Sequence, residues 1–89
     1  MTTVVVTHAV GNMNTWLASE NNRKALFPKF CSNYRTFKHM DKTRVSIVFE
    51  NVDLEKMKAL LSSPEAAAAK AKDTVIDPIE VYVEVDGGK

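Results

Sequence analysis

The chain has 89 residues, 45% of them hydrophobic and 26% charged, with a net charge of +1. That is the composition of an ordinary globule, and its charge argues neither for nor against a charged partner. The single cysteine, Cys31, excludes an intrachain disulfide, and the longest unbroken apolar run, Ala66 to Ala69, is far too short to span a membrane. A domain of this size is marginal alone, so oligomerisation is expected to help it. His8, His39 and Cys31 share no close-spaced metal-ligand motif. No basic stretch leads into an apolar core at the N-terminus, and the thiol is unpaired, so the expected location is cytoplasmic.

The first segment, Thr3 to Val10, is rich in β-branched residues and stops at Gly11-Asn12, which predicts a strand. Alternation puts Val4, Val6, His8 and Val10 on one face. Asn12 is a candidate helix cap, and Met13, Trp16 and Leu17 fall at helical spacing, predicting a helix from about Met13 to Lys24. Pro28 disrupts any continuation of that helix, so Phe27 and Phe30 are expected to dock on the core from a turn or short helix.

Asn33 to Met40 and Arg44 to Glu50 alternate as two strands around a tight Asp41-Lys42-Thr43 turn, an antiparallel hairpin. Val45, Ile47 and Phe49 form its apolar face, and Phe37 is expected with them in the core. Asp53 caps a helix carrying Leu54, Met57, Leu60 and Leu61. Ser62-Ser63-Pro64-Glu65 breaks it, with a capping box between Ser62 and Glu65 starting a second, alanine-rich helix to Lys72. The last strand is expected to start at Asp77-Pro78 and to alternate Ile79, Val81 and Val83 against Glu80, Tyr82 and Glu84.

Strand, helix, strand, strand, helix, strand builds a ferredoxin-like βαββαβ α+β fold, a four-stranded antiparallel sheet with helices on one face. One domain over residues 1–86 and a disordered tail at 87–89 complete the expected organisation. The face away from the helices is expected to carry Val5, Tyr34, Thr36, Lys38, Val48 and Tyr82. It is too mixed for a core and too rich in large side chains to stay bare.

Several stretches carry a family resemblance across nearly the whole chain: the HAV segment of the first strand, Asn14-Thr15-Trp16 at the start of the helix, the hairpin YRTFKHMDKTRVSIVFE, and the helix–SPE–helix–strand passage VDLEKMKALLSSPEAAAAKAKDTVIDPIEVYVEV. The chain resembles the dimeric α+β barrel superfamily, and in shape the antibiotic-biosynthesis-monooxygenase-like proteins. That resemblance implies a homodimer packed through its sheet faces and a cleft between sheet and helices in each subunit. The superfamily includes monooxygenases, isomerases, cyclases and haem-degrading enzymes, so the fold does not select a function. The haem-degrading relatives carry a tryptophan and a histidine on the later helix, and Leu54 to Lys72 has neither. The cyclases commonly have a second histidine near the last strand, and Asp73 to Val85 has none.

His8 titrates near neutrality and falls on the helix-facing side of its strand, which makes it the candidate catalytic acid, base or polar anchor. Trp16, Phe27, His39 and Leu61 are the candidate ligand-binding residues around it. The expected ligand is a small apolar or aromatic molecule. The expected chemistry, if any, is cofactor-independent and monooxygenase-, isomerase- or cyclase-like. The alternative is a non-catalytic dimeric binding or regulatory module. No nucleic-acid partner and no membrane partner is expected. The basic run from Arg23 to Arg44 is read as solvated, and the strand TRVSIVFE lacks the glycine and exposed aromatics of an RNA-recognition strand.

Overall fold

Strand β1 (Thr2–Val10) is central because its alternation is strict: Val4, Val6, His8 and Val10 are buried, and the residues between them are half-buried. The computed structural model describes residues 2–85. Met1 and residues 86–89, and with them the expected domain end and tail, lie outside the described residues. β1 pairs antiparallel with β3 (Arg44–Val52) on one side and β4 (Val75–Val83) on the other, and β2 (Asn33–Lys38) flanks β3. The order β2-β3-β1-β4 with helices on one face is the ferredoxin-like arrangement.

The helix expected over Met13 to Lys24 is two helices, α1 (Met13–Ala18) and α2 (Glu20–Leu26). Asn12 caps α1, its Oδ1 accepting the Thr15 N–H at 3.0 Å. Ser19 divides the pair: its hydroxyl donates back to the Thr15 carbonyl at 2.9 Å while its backbone turns to φ −91°, ψ 19°. A 3-10 turn at Phe27–Lys29, with Pro28 inside it, comes next. It sets Phe27 edge-on to Phe49 at 4.8 Å between ring centres, with Phe30 at 5.1 Å from the same ring.

β2 faces the opposite way from expectation. Tyr34 pairs with Phe49 and Thr36 with Ile47, which puts Tyr34, Thr36 and Lys38 on the helix side. Phe37 instead stands on the open face, 47% exposed, beside Arg35. The cause is Phe27, whose ring meets Tyr34 at 5.0 Å and draws it inward.

Asp53 caps α3 (Leu54–Leu61), accepting the Lys56 N–H at 3.2 Å. α4 (Pro64–Lys72) is capped by Ser63, which accepts the Ala66 N–H at 3.2 Å; the expected Ser62–Glu65 box does not form, and Glu65 reaches Lys29 at 3.4 Å. Proline at the first helical position fixes the cap one residue before it. β4 starts at Val75, two residues before Asp77-Pro78, which the strand tolerates because β4 is a sheet edge.

The core lies between the sheet and the helices. Trp16, Phe49, Val4, Val10 and Val52 are its most completely buried side chains, joined by Met57 from α3.

Candidate functional site

The β1–β4 ladder breaks beside His8. Thr7 pairs with Glu80 and Ala9 with Ile76, so one residue of β1 opposes Asp77, Pro78 and Ile79 of β4. A bulge of this kind bends the strand and re-aims nearby side chains. A cavity of about 390 Å³ lies between sheet and helices, within the size range of small-molecule sites.

The walls are mainly apolar. Val6, Ile47, Phe49, Ile79 and Val81 form the sheet side, and Leu26, Met57, Leu60, Ala66 and Ala69 the helix side. Ala66 and Ala69 of α4 present small side chains to this space.

His8 is 4% exposed and lines this cavity. Its Nδ1 lies 3.0 Å from the Ala9 carbonyl. A carbonyl only accepts, so Nδ1 carries the proton. In the neutral ring the lone pair is then on Nε2, which bonds to no described residue. Burial holds the imidazole below its ordinary value of 6.5; the Ala9 bond acts in the opposite direction, and Arg44, Lys70 and Arg23 lower it further. The His8 imidazole is therefore neutral at physiological pH. The ring stands edge-on to Trp16 at 6.3 Å, which limits its rotation.

A polar end closes the cavity. Arg23 of α2 is 4% exposed, its guanidinium 3.8 Å above the centre of the Trp16 ring. Its Nε donates to Glu20 at 3.1 Å, and its Nη1 lies 3.7 Å from Asp73 Oδ2. Glu20 is held from its other oxygen by the Tyr34 hydroxyl at 2.7 Å. Burial and this carboxylate push the Tyr34 phenol up to about 12. Lys70 pairs with Asp77 at 3.0 Å, also at the cavity wall.

Asp73 comes directly after α4 and is fixed by its neighbour Thr74. Thr74, a β-branched residue, takes φ 58°, a conformation it adopts only under constraint. Its hydroxyl accepts the Asn12 N–H at 3.0 Å, and its carbonyl accepts the Gly11 N–H at 2.7 Å. The end of β1 is thus tied to the end of α4.

The structure brings His8, Trp16, Phe27 and Leu61 to one cavity and leaves His39 out of it. His39 is exposed at the hairpin, where its Nδ1 accepts the N–H groups of Asp41 at 3.0 Å and Lys42 at 2.9 Å. It closes the turn, outside that cavity. Leu61 is 45% exposed and forms a rim rather than a wall. Sequence reasoning missed Arg23 and Asp73. Arg23 sits in the basic run expected to be solvated, although it lies seven residues after Trp16 and so on the same side of the helix expected there. The one sign of Asp73 in the sequence is a carboxylate placed at the end of a helix, where the dipole disfavours it.

Among the described residues no cluster of His, Cys, Asp or Glu could hold a metal ion. No described helix is long and apolar enough to cross a membrane. Cys31 is buried, its thiol raised by that burial and donating to the Phe27 carbonyl at 3.2 Å.

No family model matches the chain, and no curated protein matches it in sequence. Solved structures do match it. A candidate antibiotic biosynthesis monooxygenase from Nitrosomonas europaea superposes with a TM-score of 0.69 at 11% identity, covering 92% of this chain and 86% of its own. A similar protein from Deinococcus radiodurans gives 0.62 at 14% identity, with 98% and 93% covered. SnoaB, a cofactor-independent oxygenase from Streptomyces nogalater, gives 0.61 at 20% identity, with 96% and 91% covered. The structural neighbours are the antibiotic-biosynthesis-monooxygenase-like proteins to which the sequence bears a resemblance, and what is shared at these identities is the fold.

Proposed function

We propose that the chain binds a small apolar or aromatic molecule in the cavity between sheet and helices, and that His8 removes a proton from it. The observation that carries this reading is a neutral imidazole, its Nδ1 bonded to the Ala9 carbonyl, at the wall of a mainly apolar space. The bond broken is an acidic C–H of the ligand. The proton goes to Nε2, and the electron pair stays on the ligand as an enolate. Isomerisation, ring closure and direct reaction with dioxygen all begin from such a species, and none of them needs a resident cofactor for that step. The likeness to SnoaB, a cofactor-independent oxygenase, supports the oxygenase form of this chemistry.

The assembly we infer is a homodimer through the open sheet face. That face presents Phe37 and Tyr82, 47% and 54% exposed, with Ile76, Val5 and Val48. Its charges are internally paired, Arg44 with Glu80 at 3.4 Å and Arg35 with Glu50 at 3.6 Å. A balanced face can meet its own copy across a two-fold axis without repulsion. The lone unpaired thiol supports action in the cytoplasm.

Thermal unfolding with 2-tetralone, a two-ring aromatic ketone, tests the binding. At a hundred times its dissociation constant the ligand stabilises the fold by about 2.7 kcal/mol. For a domain this small that is a rise of roughly ten degrees or more. Ala69→Phe fills the cavity and is expected to abolish the shift. No shift in the wild type, or one that survives Ala69→Phe, would refute the reading.

A further inference from the structure

Arg23 and Asp73 are nearly sealed from solvent, at 4% and 5% exposure, and both line the cavity. Each keeps a buried polar atom without a hydrogen-bond partner: Nη1 of Arg23 and Oδ1 of Asp73. Nη1 lies 3.7 Å from the other Asp73 oxygen, Oδ2, an ion-pair distance too long for a hydrogen bond. Buried polar atoms are nearly always bonded, and here a donor and an acceptor are left unpaired on two side chains that line one cavity. Asp73 is destabilising in two more ways, standing at the C-terminal end of α4 and preceding the strained Thr74.

We infer that this pair is the orienting subsite of the cavity, built for an uncharged ligand that carries a hydrogen-bond acceptor beside a donor, as a carboxamide does. This rests on the ligand-binding reading of the cavity. Arg23 Nη1 donates to the ligand's carbonyl oxygen, and Asp73 Oδ1 accepts its N–H or O–H. The charge distribution selects against an anion. Arg23 and Lys70 are the cations at this end, facing the carboxylates of Glu20, Asp73 and Asp77. A ligand carboxylate would meet a surplus of negative charge and leave Asp73 Oδ1 still unbonded. A ketone without a donor would satisfy Arg23 alone. A site built to bond a polar group discriminates strongly against the analogue that lacks it.

Three ligands of the same shape test this by calorimetry: 2-naphthamide, 2-acetonaphthone and 2-naphthoate. The amide is expected to bind at least tenfold more tightly than either of the others. In Asp73→Asn, Arg23 loses one of its two carboxylates and the site its acceptor charge. The naphthoate should gain at least tenfold relative to the amide. The wild-type ranking stands whether or not that variant folds. Equal affinities, a preference for the naphthoate, or an unchanged ranking in folded Asp73→Asn would overturn the inference and assign the orphan atoms to bound water. If 2-tetralone binds but the three ligands are not ranked, this inference alone fails. If none of the four binds, the cavity reading fails with it.

Discussion

His8 shows how one backbone contact decides what a side chain can do. The Ala9 carbonyl fixes the tautomer, and burial fixes the charge. Both have a consequence for stability. In the unfolded chain His8 titrates at its ordinary value of 6.5, and in the fold it titrates lower. Between those values the unfolded chain holds the extra proton, so stability is fully present above 6.5 and is lost as the pH falls through this window. Linkage limits the slope for one proton to about 1.4 kcal/mol per pH unit. Denaturant titrations at pH 7.5 and 5.5 should therefore show a larger acid loss in wild type than in His8→Gln. Parallel losses would mean that His8 is protonated as readily in the fold as outside it. The strand face of His8 was legible because strict alternation with three valines puts it inside. The burial of Arg23 and Asp73 was not legible. A buried arginine looks like a surface one until the elements that cover it are known.

At the scale of elements, two local capping signals succeeded, while the Ser62–Glu65 box did not form. Asn12 and Asp53 cap their helices because a side-chain oxygen reaches an N–H three residues on, which needs nothing from the rest of the fold. Sequence signals failed where tertiary contact decides. Tyr34 and Phe37 are both aromatic and three apart, and alternation alone cannot say which turns inward. Phe27, from a different element, settles it in favour of Tyr34. That places Phe37 with Tyr82 on the open sheet face, where a second copy is proposed to pack. Sedimentation should give a particle of twice the 9.9 kDa chain mass, and Phe37→Asp with Tyr82→Asp should yield a folded monomer. A wild-type monomer, or a dimer indifferent to both substitutions, would place the partner elsewhere or remove it.

The whole molecule was largely legible in its order of elements, since strand and helix periodicities differ and βαββαβ has few compact solutions. The cavity was not. It is space left between layers, lined by His8 beside a strand bulge and by Ala66 and Ala69 of α4, features far apart in the chain that only the finished fold brings together. Its chemistry is the central claim, and proton abstraction can be observed without knowing the natural substrate. The C1 methylene of 2-tetralone, acidic between ring and carbonyl, exchanges with deuterium oxide at a rate that proton NMR tracks directly. Wild type is expected to accelerate that exchange at least about a hundredfold over His8→Gln, the lower end of what a positioned base contributes. Equal exchange in both proteins, with 2-tetralone bound to each, would contradict the claim and leave a cavity that binds without catalysing.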